Sequence, residues 1–527
     1  MLRSPPSRRM VWTICIAAIV YYILYHMFES AELADFGLQP VQRANCSIFP
    51  DWDGSSSSYL VYGETVTNPL PVVGDAASIG NQNRCLLPSS RFEKYQSSQD
   101  RDWNQVRWGD VQKRCRATGN TKRIIDEFSA RDNTWFQMPE NIETSLVEKK
   151  GQTAVVLRTW DNYNYTDVRR AWLRALIAET SLHSGGEYEV FLLINVKDDR
   201  IRLDQDSEVY EEVLRECVPE EFRDIALLYN QNVLKTWYPK VKEHGAQDQM
   251  YQALQIFAHK FPQFAHVWQL EMDLRTTGHV HTTLETASAF ALAQPRRNLW
   301  ERNGRFFIPE LYNGSYETFA AAVDDEIGDR GIWGPATTTD FEPRGPFPPP
   351  RSVRNWGINE GADLIGMMPM IDPRGTDWVY EHHVFGFADG EATPRRAAFV
   401  SMTRASRRLL LLVSEAQRQR GQWVVSEATL ETFALLHGLK AVTVPHPIAF
   451  ANDMTAEAAE TELNRGPRHS KAGGRGPSFS YTSGGWVPGP WSQSSYWFAA
   501  DDAPNRWHSY LSGDCLPPML LHPVKDE

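Results

Sequence analysis

Hydrophobic and polar positions sort the middle of this chain into alternating strands and helices. Residues 153–159, TAVVLRT, are an apolar run of strand length. The stretch DVRRAWLRALIAETSLHSGG follows, with Val168, Trp172, Ala175 and Leu176 on one helical face. Asp167 or Thr166 can cap its start, and Gly185-Gly186 ends it. Residues 187–196, EYEVFLLINV, are a second apolar strand. Strand, helix and strand in such close succession form a βαβ unit, which implies parallel pairing. A helix over 208–217, a strand over 225–229 and a helix over 248–260 extend the series.

The next stretch, HVWQLEMDLRTTGH, alternates. Trp268, Leu270, Met272 and Leu274 fall on one parity; Gln269, Glu271 and Asp273 fall on the other. That is the period of a strand with one buried face. Its polar face carries Glu271 and Asp273 to the C-terminal end of a parallel strand, the edge where open α/β sheets take ligands. Further on, Asn303-Gly304 between apolar flanks predicts a hairpin. Residues 334–352 read as an exposed Pro-rich loop, 362–369 and 396–401 as strands, and 404–420 as a basic helix. SEATLETFALLHG predicts a helix and LKAVTV a strand, before Pro445-His446-Pro447. The chain becomes rich in Gly, Ser and Pro from 456, which predicts a C-terminal tail over 456–527.

The N-terminus changes the picture. Residues 11–28, VWTICIAAIVYYILYHMF, hold no acidic residue, Lys or Arg, and their helical length approaches the hydrocarbon thickness of an endoplasmic reticulum membrane. Arg3, Arg8 and Arg9 precede the run, while Glu29, Glu32 and Asp35 follow it. The expectation is a type II anchor: residues 1–10 cytosolic, 11–28 spanning, 29–145 a lumenal stem, and 146–455 the main domain. A cleaved signal peptide is the rival, but no small-x-small cleavage site follows the run. The acceptor sequons at Asn45, Asn164 and Asn313 agree with a lumenal body. Five cysteines lie outside the anchor; their spacing fits no zinc motif, and their odd number leaves at least one free or intermolecular. Cys85 and Cys115 are placed to staple the stem.

A net charge of −12 argues against nucleic acid as a partner. An anionic substrate would need a local cation. Glu271 and Asp273 repel each other unless one lies between them, and Mg²⁺ or Mn²⁺ would leave positions open for phosphate. The alternative is a solvated acidic face. Glu427, after Ser426 at a loop-to-helix boundary, is either a carboxylate facing a cleft or an ordinary first-turn acid. His446 is either a third metal ligand or a structural histidine. Arg158 and Lys197, at strand ends, could meet a diphosphate or serve as surface charge. His382 and His383 read as structural.

The segments SGGEYEVFLLINVKDD, WQLEMDLRTTGH, EGADLIGMMPMIDP and HGLKAVTVPHP resemble a fungal family of uncharacterised type II membrane proteins, domain of unknown function 3405, over about residues 150–455. More distantly, the βαβ start and the acidic pair resemble glycosyltransferases of the GT-A fold. That resemblance implies a mixed, mainly parallel α/β sheet flanked by helices. It implies Glu271 and Asp273 in place of a D-x-D metal motif, Glu427 as base and His446 as a late metal ligand. Glu271 departs from the usual Asp. The expected activity is transfer from a nucleotide sugar to a glycan or glycoprotein, with Mn²⁺ or Mg²⁺, in the Golgi or endoplasmic reticulum. The competing expectations are a non-catalytic lumenal carbohydrate-binding or assembly protein, and a glycoside hydrolase. A hydrolase would need two carboxylates facing each other across a cleft.

Overall fold

The computed structural model describes residues 45–56, 58–63, 71–80, 84–97, 101–116, 135–138, 151–376, 378–451, 454–464, 481–482, 485–486, 493–497, 500 and 502–525. The expected tail 1–10 and anchor 11–28 lie outside these residues. Among the described residues, no helix is long and apolar enough to cross a membrane.

A seven-stranded sheet organises the chain. Its strands are β1 (Gln152–Trp160), β2 (Tyr188–Asn195), β3 (Ala226–Tyr229), β4 (Phe264–Glu271), β5 (Leu364–Gly366), β6 (Met402–Ser406) and β7 (Ala441–Thr443). Their order across the sheet is β7-β5-β6-β4-β1-β2-β3. β6 runs antiparallel to both β4 and β5, and every other pairing is parallel. The helices beside it are α1 (Asp167–Ile177), α2 (Ser207–Cys217), α3 (Gln252–Lys260), α4 (Val280–Ala293), α5 (Arg407–Arg420) and α6 (Ser426–His437); the sequence pattern predicts all of them but α4. Thr166 caps α1 by accepting from the Arg169 amide at 3.3 Å. Ala154 to Leu157 of β1 and Val190 to Ile194 of β2 are buried on both sheet faces, as continuous apolar runs in a covered parallel sheet should be. Gly186 closes the α1–β2 connection at φ +83°, where a Cβ would lie 2.7 Å from Arg116 Cγ.

Two expected elements differ. Asn303-Gly304 makes no hairpin: Leu299–Asn303 is a short helix that Gly304 ends. Asn303 is drawn inward instead, donating to the Ala441 carbonyl at 2.8 Å and accepting from the Thr443 amide at 2.9 Å, so its side-chain amide pairs with β7. Residues 396–401 form no regular strand; a single bridge joins Ala397 to Ile371, and pairing with β4 starts at Met402.

The expected stem and tail also need correction. Trp52, Tyr95, Trp103 and Trp108 are buried in the same core as the sheet. At the other end, Trp497, Ala503, Trp507 and Tyr510 of α7 (Asp502–Leu511), Leu520 and Leu521 are buried there too. Leu520–Leu521 pairs antiparallel with Arg275–Thr276, directly after the acidic stretch. Cys46 bonds Cys115, and Cys85 bonds Cys515, joining the two ends; the Cys85–Cys115 staple does not form. Cys217 is the unpaired cysteine among the described residues.

Buried ion pairs lock the early segment down. Arg91 makes a fork on Glu179 (2.6 and 3.0 Å) and donates to the Thr276 carbonyl at 2.6 Å. Glu179 also accepts from the Val280 amide at 2.8 Å, at the start of α4. Arg174 grips Glu221 in the same bidentate manner, at 2.9 and 2.6 Å. Removing one partner of such a pair strands a buried charge. Arg91→Met is therefore expected to cost about 3–5 kcal/mol, and Arg91→Met with Glu179→Leu distinctly less. Denaturation of the two variants checks this; equal losses would show that the cost is packing and not the stranded carboxylate.

Candidate functional site

The register between β1 and β4 sets Arg158 directly opposite Glu271. Both lie at the C-terminal end of their strands. Arg158 Nη2 meets Glu271 Oε1 at 2.6 Å. The other oxygen, Oε2, lies 2.9 Å from His522 Nε2, which is also 3.4 Å from Asp273 Oδ1. His522 arrives on the C-terminal segment, held there by the Val524 amide on the Asp273 carbonyl (2.8 Å) and the Thr277 amide on the Met519 carbonyl (3.1 Å). Its other ring nitrogen meets Ser401 Oγ at 3.1 Å, which fixes the ring.

Glu271, Asp273 and His522 each bring a ligand atom to a common point, all within 4.8 Å of one another. Adjacent ligands on an octahedral ion at about 2.1 Å are roughly 3 Å apart. The 2.9 and 3.4 Å separations from His522 fit that arrangement. Two carboxylates and an imidazole are a donor set for Mn²⁺ or a similar divalent ion. Without a metal, the three groups hold one another. Burial pushes both carboxyls up, but the hydrogen bond and charge of His522, joined by Arg158 at Glu271 and by Lys525 at Asp273, together outweigh it, and both acids sit below the usual range. Burial pushes His522 down, but its bonds to Asp273 and Glu271 and their charges raise it to about 9. The imidazole thus carries positive charge between the two carboxyls.

His446, the expected late ligand, is not in this group. It is buried one ring away: Tyr496 lies between, 4.5 Å from His446 and 5.9 Å from His522 by ring centroids. Its Nδ1 is 3.0 Å from the Pro447 carbonyl, and burial pushes its pKa down to about 3. The signal for His522 was a short apolar run, MLLH, before Pro523, inside a segment whose composition predicted a tail. Arg158 is committed to Glu271. Lys197 follows β2 at the same sheet edge, 5.4 Å from the centre of the Trp160 ring. His383, read as structural, has its Nδ1 3.0 Å from Asp248 Oδ1.

Glu427 stands at the start of α6. Gln247 Nε2 donates to its Oε1 at 3.4 Å, while Oε2 is buried with no hydrogen-bond partner among the described residues. Burial pushes the carboxyl up to about 7, and the charges of Asp248 and Glu271 add to the effect. Such an acid changes protonation near neutrality.

A family model described as "Protein of unknown function (DUF3405)" matches residues 79–526. No curated protein and no solved structure matches the chain.

The raised Glu427 pKa has a consequence for stability. Unfolded, the group titrates near 4.5; folded, it holds its proton to about 7. The folded state therefore binds the extra proton across that window, and stability falls as pH rises through it. Glu427→Gln removes the penalty. It is expected to be more stable than the wild type above pH 7, by about 1–2 kcal/mol after solvent screening, with no advantage below pH 4.5. Denaturation at pH 4, 6 and 8 measures the difference; an advantage independent of pH would exclude Glu427 as its source.

Proposed function

We propose that this chain, which belongs to the DUF3405 family of proteins of unknown function, is a metal-dependent glycosyltransferase. It takes a sugar from a nucleotide-sugar donor to a hydroxyl of a glycan or glycoprotein. The observation that carries this reading is the convergence of Glu271, Asp273 and His522 at the C-terminal end of a parallel strand. The mixed, mainly parallel sheet supports it as well, since the resemblance to GT-A transferases implies such a sheet with metal-binding acids at a strand end. His522 takes the part first expected of His446.

In this reading Glu271, Asp273 and His522 hold Mn²⁺ or Mg²⁺. The ion supplies neutralisation of charge on the leaving diphosphate. Arg158 fixes the Glu271 carboxylate, and Lys197, over the Trp160 ring at the same sheet edge, is the cation for a phosphate oxygen. Glu427 is the base. In an inverting transfer, the acceptor oxygen bonds to the anomeric carbon as its bond to the diphosphate breaks. The hydroxyl proton passes to Glu427, and the nucleoside diphosphate leaves. Residues 11–28 would anchor the protein as a type II membrane protein, with this body in the lumen of the Golgi or endoplasmic reticulum.

The test is nucleotide-sugar turnover by the full chain in detergent, across common donors, with and without Mn²⁺. Release of nucleoside diphosphate that needs the metal is the expected result; neither binding nor release with any donor would sink the reading. Asp273→Ala and His522→Ala should each abolish metal-dependent donor binding while circular dichroism stays unchanged. His446→Phe should retain it. Full metal dependence in His522→Ala would show that the ligand set is wrong.

A further inference from the structure

Phe385 is exposed although its ring is apolar: 44% of its surface meets solvent. One ring face lies on Trp423, with centroids 4.3 Å apart and planes 22° from parallel. The two residues are cross-strand partners in a two-stranded ribbon, Val384–Phe385 against Trp423–Val424. Trp423 is itself buried, so the pair is a fixed platform with one open side.

The surroundings of this platform are polar. The two-residue period of the strand puts His383 on the same side as Phe385, and their ring centroids are 6.1 Å apart. His383 holds Asp248 at 3.0 Å. Gln247, next to it, reaches Glu427 at 3.4 Å. The ribbon leads into α6, and the Val425 amide bonds back to the His383 carbonyl at 3.3 Å. One surface therefore runs from an exposed aromatic ring, past a histidine, a carboxylate and an amide, to Glu427, whose Oε1 meets Gln247 and whose Oε2 is buried without a hydrogen-bond partner among the described residues.

A flat apolar ring beside planar donors and acceptors suits a ligand with a C–H face and a rim of hydroxyls. We propose that Phe385, backed by Trp423, seats a pyranose ring whose hydroxyls bond to Asp248 and Gln247, and that this is the acceptor subsite beside Glu427. The assignment to the acceptor rests on the transferase reading above; the pyranose seat does not.

The experiment uses the full chain and a panel of methyl α- and β-D-pyranosides of glucose, galactose, mannose and N-acetylglucosamine. Saturation-transfer NMR detects binding, and titration gives affinity. At least one glycoside should bind, with saturation strongest on its ring C–H protons. Phe385→Ala should weaken it about tenfold, and Phe385→Tyr should restore it. Both variants should keep wild-type Mn²⁺ binding and circular dichroism. Unchanged affinity in Phe385→Ala overturns the seat. So does the absence of binding to every glycoside while donor turnover is intact. Glycoside binding lost in Phe385→Ala, in a wild type that turns over no donor, supports the seat and removes the transferase reading alone.

Discussion

Two carboxylates on one side of a strand end repel each other, and the site is built around that repulsion. Glu271 and Asp273 are only tolerable together because positive charge is brought to them from elsewhere in the chain. Arg158 comes from the neighbouring strand, placed by register. His522 comes from 249 residues beyond Asp273 in sequence, placed by the pairing of Leu520–Leu521 with Arg275–Thr276. The Cys85–Cys515 bond ties that last segment to the start of the chain. The site therefore depends on both ends of the described chain, although its acids lie in the middle.

The same demand for compensation explains the buried ion pairs around it. Glu179 and Glu221 sit in the core on bidentate arginines, and Arg91 links its glutamate to the loop that follows the acidic pair. Glu431, both of whose carboxylate oxygens are buried without a hydrogen-bond partner among the described residues, is one exception, and Glu427 is another. It is mostly buried, faces two other acids electrostatically, and has no cation on its free oxygen among the described residues. A carboxyl left in that state is costly to a fold and useful to a catalyst.

The sheet was legible in the sequence because its information is local. Apolar runs of strand length, helices with a single buried face, and a Thr cap each declare themselves within a few residues. Glu271 and Asp273 were legible as a close pair from their spacing, although the strand ends at Glu271 and a turn, closed by the Leu274 amide on the Glu271 carbonyl at 3.1 Å, carries Asp273. Where local signals compete with long-range partners, the reading failed. Asn303-Gly304 has the chemistry of a turn, but the Asn side chain found backbone partners on β7, and the segment became a helix end.

What the sequence alone determined is the type of most of the sheet's strands and of most helices beside them. Those follow from steric preference and periodicity. Tertiary structure decided which late histidine meets the acids. His446 and His522 both neighbour proline, and nothing local separates them. Strand pairing across hundreds of residues seats one ring between two carboxylates, and Tyr496 walls off the other. Composition likewise predicted a tail after residue 456, because Gly, Ser and Pro lower the average. A few buried residues, Trp497, Trp507, Leu520 and Leu521, are enough to bring its end into the core. Burial is a property of where a residue lands, and only the folded chain settles that.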